Sequence, residues 1–158
     1  MTNRKSRGVA VGDLLPDIAL PDQNGNMVQL RGWIGRSALV VFFYPKDGSP
    51  VCTSEVCHFG QRHDEFRGLN AEVIGISSDR PESHARFSAR HRLPFTLLSD
   101  TDGKARRRFG TGSTLGLIAG RVTYVVDRQG VVRHIYRSQF HARKHVERAL
   151  SALNDDAE

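Results

Sequence analysis

No stretch of this chain is apolar for anything near the roughly 20 residues a membrane-spanning helix requires, so no membrane partner is expected. Cysteine is scarce, with two in 158 residues. That excludes a disulfide-stapled scaffold, which a core of this size does not need. The sequence has no internal repeat, low-complexity tract or linker, and this leaves one domain, set at residues 11–154. An apolar h-region is also missing behind the basic start Met1-Thr2-Asn3-Arg4-Lys5-Ser6-Arg7, so no secretory signal is read there. Residues 1–10 are expected to be a disordered tail, the alternative being a short organellar presequence. Without a signal the thiols belong in a reducing compartment, and the expected location is cytoplasmic.

Acidic residues are the minority sign, 17 against 23 Lys and Arg, for a net charge of +6. Such a balance can mark a nucleic-acid partner. The basic residues are scattered, however, and Lys104-Ala105-Arg106-Arg107-Arg108 alone forms a cluster, which a solvated helix face explains as well. No nucleic-acid partner is expected.

What the chain does have is a clear alternation of elements. Ile18–Leu20 and Met27–Leu30 flank the turn signal Gln23-Asn24-Gly25-Asn26, a hairpin pattern. Ala38–Tyr44 is continuously apolar and β-prone, as in a strand covered on both faces. From Ser49 to Leu69 the period turns helical, with Cys52, Val56, Phe59, Phe66 and Leu69 on one stripe, Ser49 as N-cap and Pro50 at the first helical position. Ala71–Ser77 reads as a strand, Asp79-Arg80-Pro81-Glu82 as a capping box opening a helix to His91, and Pro94–Ser99 as a third strand. A short basic helix follows Gly103, a glycine-rich loop spans Thr111–Gly120, strands at Val122–Val126 and Val131–Tyr136 form a hairpin, and a helix closes the chain from His141 to Leu153. This order gives an α/β, thioredoxin-like three-layer domain with an N-terminal β-hairpin extension.

Both cysteines lie where the most apolar strand hands over to the first helix. Cys52 falls in the first helical turn, where free N–H groups and the positive helix end stabilise a thiolate. A lone helical cysteine is more often a core residue; the Pro/Gly loop before it and the second thiol favour chemistry. In an intact helix residues five apart have Cα atoms about 8.7 Å apart, beyond the roughly 4.4–6.8 Å of a disulfide. Cys52 and Cys57 therefore cannot bond until the helix start unwinds. Cys52, Cys57, His58 and His63 point to different helix faces, so no metal site is read from them, and the seven histidines look like scattered surface residues.

The segment Tyr44-Pro45-Lys46-Asp47-Gly48-Ser49-Pro50-Val51-Cys52-Thr53-Ser54-Glu55-Val56-Cys57 resembles the active-site segment of peroxiredoxins. It is most similar to the PrxQ, or bacterioferritin-comigratory-protein, branch. Its pattern P-x-x-x-[T/S]-x-x-C is met by Pro45, Ser49 and Cys52, and the branch's second cysteine by Cys57. Gly12–Asp17, Val73–Ser77 and Gly120–Asp127 are similar to further segments of the family. Two residues depart from the pattern: Ser49 stands where most members have Thr, and Val51 where this branch often has Gly. The resemblance implies a cofactor-free thiol peroxidase. Cys52 is then the peroxidatic nucleophile and Cys57 the resolving thiol. Arg121 holds the thiolate and polarises the peroxide, Ser49 hydrogen-bonds the peroxide, Pro45 shields the thiolate and Glu55 orients an arginine. It further implies recycling by thioredoxin or a similar dithiol, and a monomer or at most a weak dimer. A thioredoxin-like disulfide oxidoreductase without peroxidase activity is the rival reading.

Overall fold

The continuously apolar run becomes the central strand of the protein. The structure, a computed structural model, describes residues 8–114 and 118–157. Strands β1 (Ala19–Pro21) and β2 (Met27–Gln29) pair antiparallel as the expected hairpin. A single 3-10 turn at Leu30–Trp33 leads into β3 (Ala38–Phe43). There follow α1 (Pro50–Gln61), α2 (His63–Gly68), β4 (Ala71–Ser77), α3 (Pro81–His91), β5 (Thr96–Ser99) and α4 (Lys104–Phe109). The chain continues through β6 (Ser113–Thr114), β7 (Ile118–Ala119), β8 (Val122–Val126) and β9 (Val132–Arg137) to α5 (Ala142–Ala157).

The main sheet runs β5-β4-β3-β8-β9, parallel across β5, β4 and β3 and antiparallel across β3, β8 and β9. Alternate side chains of β3 point to opposite faces. Leu39, Val41 and Phe43 join a core with Leu20 of the hairpin and Ala105 and Phe109 of α4. Val40, Phe42 and Tyr44 join a second core with Cys52, Val56 and Phe59 of α1, Phe66 of α2, Phe87 of α3 and Val146 and Leu150 of α5. Both faces are covered, so the domain has the three expected layers.

Several boundaries differ from the sequence reading. The single helix expected from Ser49 to Leu69 is broken at Arg62 (φ −99°, ψ 9°), which separates α1 from α2 while keeping Phe59 and Phe66 on one core. The expected capping box at α3 does not form: Arg80 is the N-cap and no side chain caps it. Asp79 instead accepts from Ser77 Oγ at 2.6 Å and from the backbone N–H of Asp47 at 2.8 Å. The stretch expected as a loop after Thr111 contains the small β6–β7 pair; residues 115–117 lie outside the described residues. Of the tail expected to be disordered, residues 1–7 also lie outside them. Val9 is buried, however, and its N–H donates to Phe109 O at 2.9 Å, so order begins before residue 11. No helix among the described residues is long and apolar enough to cross a membrane.

Candidate active site

The handover from β3 to α1 places the first thiol. Backbone pairing of β3 ends as Tyr44 N–H donates to Ile76 O. Thr53 N–H then donates to Ser49 O at 2.8 Å and closes the first turn of α1, with Pro50 at its start. Cys52 is the third residue of that helix and is 1% exposed. Glu55 lies one turn on, on the same helical face, and is wholly buried.

The charge opposite comes from the start of the strand next to β3. Because β8 runs antiparallel to β3, Phe43 pairs with Val122, and the residue before β8, Arg121, arrives beside the start of α1. Gly120 makes this approach possible: a Cβ there would lie 2.2 Å from Thr111 O. Arg121 is 4% exposed and donates from each of its three guanidinium nitrogens. Nη2 donates to Cys52 Sγ at 3.1 Å, Nη1 to Glu55 Oε1 at 3.1 Å, and Nε to Gln139 O at 3.1 Å. A guanidinium held at both ends cannot swing away, so its remaining donors stay aimed at the sulfur.

Glu55 is poised between two influences. Burial pushes its carboxyl up to about 8, although the Arg121 guanidinium pulls the other way. At neutral pH it is largely protonated, which leaves more of the arginine's charge for Cys52. Its Oε2 has no hydrogen-bond partner among the described residues and lies 3.6 Å from His145 Nε2. His145, on α5, donates from Nε2 to Ser138 O at 2.8 Å, so Nδ1 is the nitrogen that accepts from Thr123 Oγ1 at 2.7 Å. Burial, with help from the charge of Arg121, lowers His145 to about 4 and keeps it neutral.

The other expected residues take up distinct places. Ser49 occupies the N-cap position, but its hydroxyl caps no N–H; it donates back to Lys46 O at 3.3 Å. Pro45 is half-buried at the head of the loop. Cys57 sits in α1 with Cys52, half-buried; both thiols are free and burial raises that of Cys57. His63, His84 and His145 are buried, which corrects the reading of all seven histidines as surface residues. The one signal for His145 was its register with Val146, Ala149, Leu150 and Leu153 on the apolar stripe of α5. His84 likewise falls three residues before Phe87 on α3.

A buried thiol fixed by a buried arginine invites comparison with known proteins. The sequence family described as AhpC/TSA matches residues 11–135. A chloroplastic peroxiredoxin Q from Gentiana triflora is 44% identical over 92% of this chain and 67% of its own length. The chain belongs to the AhpC/TSA family, in its peroxiredoxin Q branch. This peroxiredoxin is a thiol-dependent peroxidase, acting on a peroxide and restored by a thiol reductant. Its thioredoxin-like fold is shared with the peroxidoxin BcpB of Mycobacterium tuberculosis, at 34% identity, 92% and 96% coverage and a TM-score of 0.85. It is shared also with the bacterioferritin comigratory protein of Xanthomonas campestris, described for its alkyl peroxide reduction activity, at 30% identity, 92% and 100% coverage and a TM-score of 0.82. The cytoplasmic expectation is overturned by the curated relatives of this peroxiredoxin, which are named chloroplastic. A pair of free thiols requires a reducing compartment, and a plastid satisfies that requirement as well as the cytoplasm does.

Proposed function

We propose that Cys52 is the peroxidatic thiolate and Cys57 the thiol that resolves it within the same chain. The reading is supported above all by the 3.1 Å contact of Arg121 Nη2 with Cys52 Sγ, between two nearly inaccessible groups. The thiolate attacks the terminal oxygen of a hydroperoxide and the O–O bond breaks. The oxygen that leaves takes a proton and departs as water or an alcohol, and Cys52 becomes a sulfenic acid. Arg121 holds the thiolate before attack and faces the charge that develops on the departing oxygen. Glu55 fixes the guanidinium in that orientation. Ser49, beside the start of α1, hydrogen-bonds the peroxide, and Pro45 screens the sulfur from water.

In the second step the first turn of α1 unwinds, Cys57 sulfur attacks the sulfenic sulfur, water leaves and a Cys52–Cys57 disulfide forms. A thioredoxin-type dithiol then reduces it by exchange. The half-buried setting of Cys57, whose thiol is held protonated by burial, suits a group that waits until the helix opens. Because the proposed disulfide joins two cysteines of the same chain, the reaction requires no second copy, and a monomer suffices as the working unit. Organic hydroperoxides join hydrogen peroxide as substrates on the strength of the Xanthomonas campestris neighbour.

The test is the mass of the reduced protein after one equivalent of peroxide. A loss of two hydrogens mapping to Cys52–Cys57 is expected; a disulfide between two chains refutes the assignment. Cys52→Ser should abolish peroxide consumption. Cys57→Ser should complete one stoichiometric reaction and then stall with thioredoxin as reductant.

A further inference from the structure

The loop that carries the chain from β3 to α1 has little apolar anchorage. Lys46 and Gly48 are exposed, and Pro45, Asp47 and Ser49 are only half-buried. Its polar anchorage is dense and centres on Asp47. One carboxylate oxygen accepts from Tyr44 OH at 2.6 Å; the other accepts from Ser83 Oγ at 2.9 Å and lies 2.7 Å from His84 Nδ1. The backbone N–H of Asp47 donates to Asp79 Oδ2 at 2.8 Å. The loop is thus tied to the end of β3, to the turn after β4 and to the first turns of α3.

His84 is fully buried, and the nearest group to each of its nitrogens only accepts. Nε2 lies 3.0 Å from Leu98 O, and Nδ1 faces the Asp47 carboxylate. Both nitrogens must then carry hydrogen, which makes His84 an imidazolium. The further groups around it agree. Ser77 Oγ is 3.5 Å from Nε2 and donates to Asp79, which adds a second carboxylate. Tyr44 OH is 3.5 Å from Nδ1; burial and the neighbouring Asp47 carboxylate raise its phenol well above 10, so it remains a neutral donor. Burial pushes the Asp47 carboxyl upward, but the hydrogen bond and charge of His84, with Tyr44 and Ser83, outweigh this and hold it below its ordinary value. Asp47, Asp79 and His84 converge within 4.8 Å, a grouping that resembles a metal-ligand set. With both imidazole nitrogens protonated and already bonded, the cluster is an ion-pair clasp instead.

We propose that Asp47 and His84 form a clasp that holds the first turn of α1 wound, and so sets the balance between peroxide reduction and disulfide formation. The proposal rests on the reading that Cys57 resolves Cys52. Asp47 lies three residues before Pro50 and five before Cys52, at the fixed end of the segment that has to move. While the clasp is closed, Cys52 stays against Arg121, where peroxide is reduced. When it opens, the helix start is released and the sulfenic sulfur can reach Cys57. Asp47 and His84 touch neither sulfur nor peroxide; they are positioning residues.

The two steps should therefore respond in opposite directions. In single-turnover measurements on the full chain, Asp47→Asn is expected to slow the first step about fivefold and to speed disulfide formation by a similar factor. Ser83→Ala, which removes one hydrogen bond at the partly exposed edge of the clasp, should move both rates the same way by about twofold and guards against misfolding in the first variant. Asp47→Asn combined with His84→Asn should add little to Asp47→Asn alone. Imidazole nitrogen-15 spectra should show two protonated nitrogens on His84 at neutral pH in the wild type, and one in Asp47→Asn. The clasp is refuted if both steps slow together in both single variants, if neither changes, or if His84 carries an unprotonated nitrogen in the wild type. Disulfide formation at the wild-type rate in the variants refutes the clasp alone; a wild-type protein that forms no Cys52–Cys57 bond overturns the resolving role along with it.

Discussion

Replacing Arg121 tests the site most directly. At 3.1 Å from Cys52 Sγ, a unit charge pair in an effective dielectric of about 20 attracts by about 5 kcal/mol before the cost of removing both groups from water. Part of that attraction exists with the resting thiolate and part only as charge passes to the leaving oxygen. Loss of one directed donor of this kind removes about 2.7–4 kcal/mol of transition-state stabilisation, or about 10²–10³ in rate. Arg121→Met should therefore slow the first turnover with hydrogen peroxide by about 10²–10³. The fold should survive, because Glu55, with its carboxyl pushed up to about 8, can remain neutral when its partner is gone. Arg121→Lys keeps the charge but not the fork that spans Sγ, Glu55 and Gln139 O, and should recover no more than about tenfold. The assay is stopped-flow consumption of peroxide by pre-reduced protein, with a thermal melt of each variant alongside. An Arg121→Met variant that melts like the wild type and reacts within about threefold of it would sink the argument.

Further outcomes follow from the buried groups. Glu55 binds a proton in the folded state up to about pH 8, whereas its ordinary value is 4.5, so the folded protein loses stability as pH rises through that interval. His145, lowered from 6.5 to about 4, acts in the opposite sense, since the unfolded chain holds the extra proton between those values and stability rises with pH there. The two slopes offset one another below pH 6.5. Above pH 6.5 the opposing slope of His145 is gone, and up to pH 8 the Glu55 contribution amounts to up to about 1.4 kcal/mol per pH unit. The Tm should fall more steeply across that window in the wild type than in Glu55→Gln; equal slopes in both would count against a protonated Glu55. Gly75→Ala should destabilise by about 1–3 kcal/mol, because its Cβ would lie 2.7 Å from Phe42 Cζ and 2.8 Å from Leu97 Cδ2. That is several degrees of Tm in a calorimetric scan, and no change would mean the packing between β3 and β5 is looser than described.

The sequence made local features legible and left pairings across the chain hidden. Asn24-Gly25 announced the first hairpin, and Gly25 has the positive φ of 82° that such a turn requires. The unbroken apolar run of β3 announced a strand buried on both faces, as it is. Cys52 was visible because its surroundings are consecutive residues. Arg121 was visible only through family resemblance, since nothing near it in the chain says that it will face a thiol. His84 and His145 were misread as surface residues because their partners, Asp47, Leu98, Thr123 and Ser138, come from other elements. The break at Arg62 was missed for a related reason: Phe59 and Phe66 keep the helical spacing on either side of it, and only the core decides that the axis must turn there.

The antiparallel register that sets Phe43 against Val122 has a consequence for how the protein is made. Cys52 leaves the ribosome 69 residues ahead of Arg121, which at about 5–20 residues per second is an interval of roughly 3–14 s. During that time the nascent chain carries the Cys52 thiol without the Arg121 guanidinium. The thiol gains that cation only when β8 inserts beside β3, so with Cys52 as the proposed peroxidatic thiol, full reactivity toward peroxide awaits completion of the sheet.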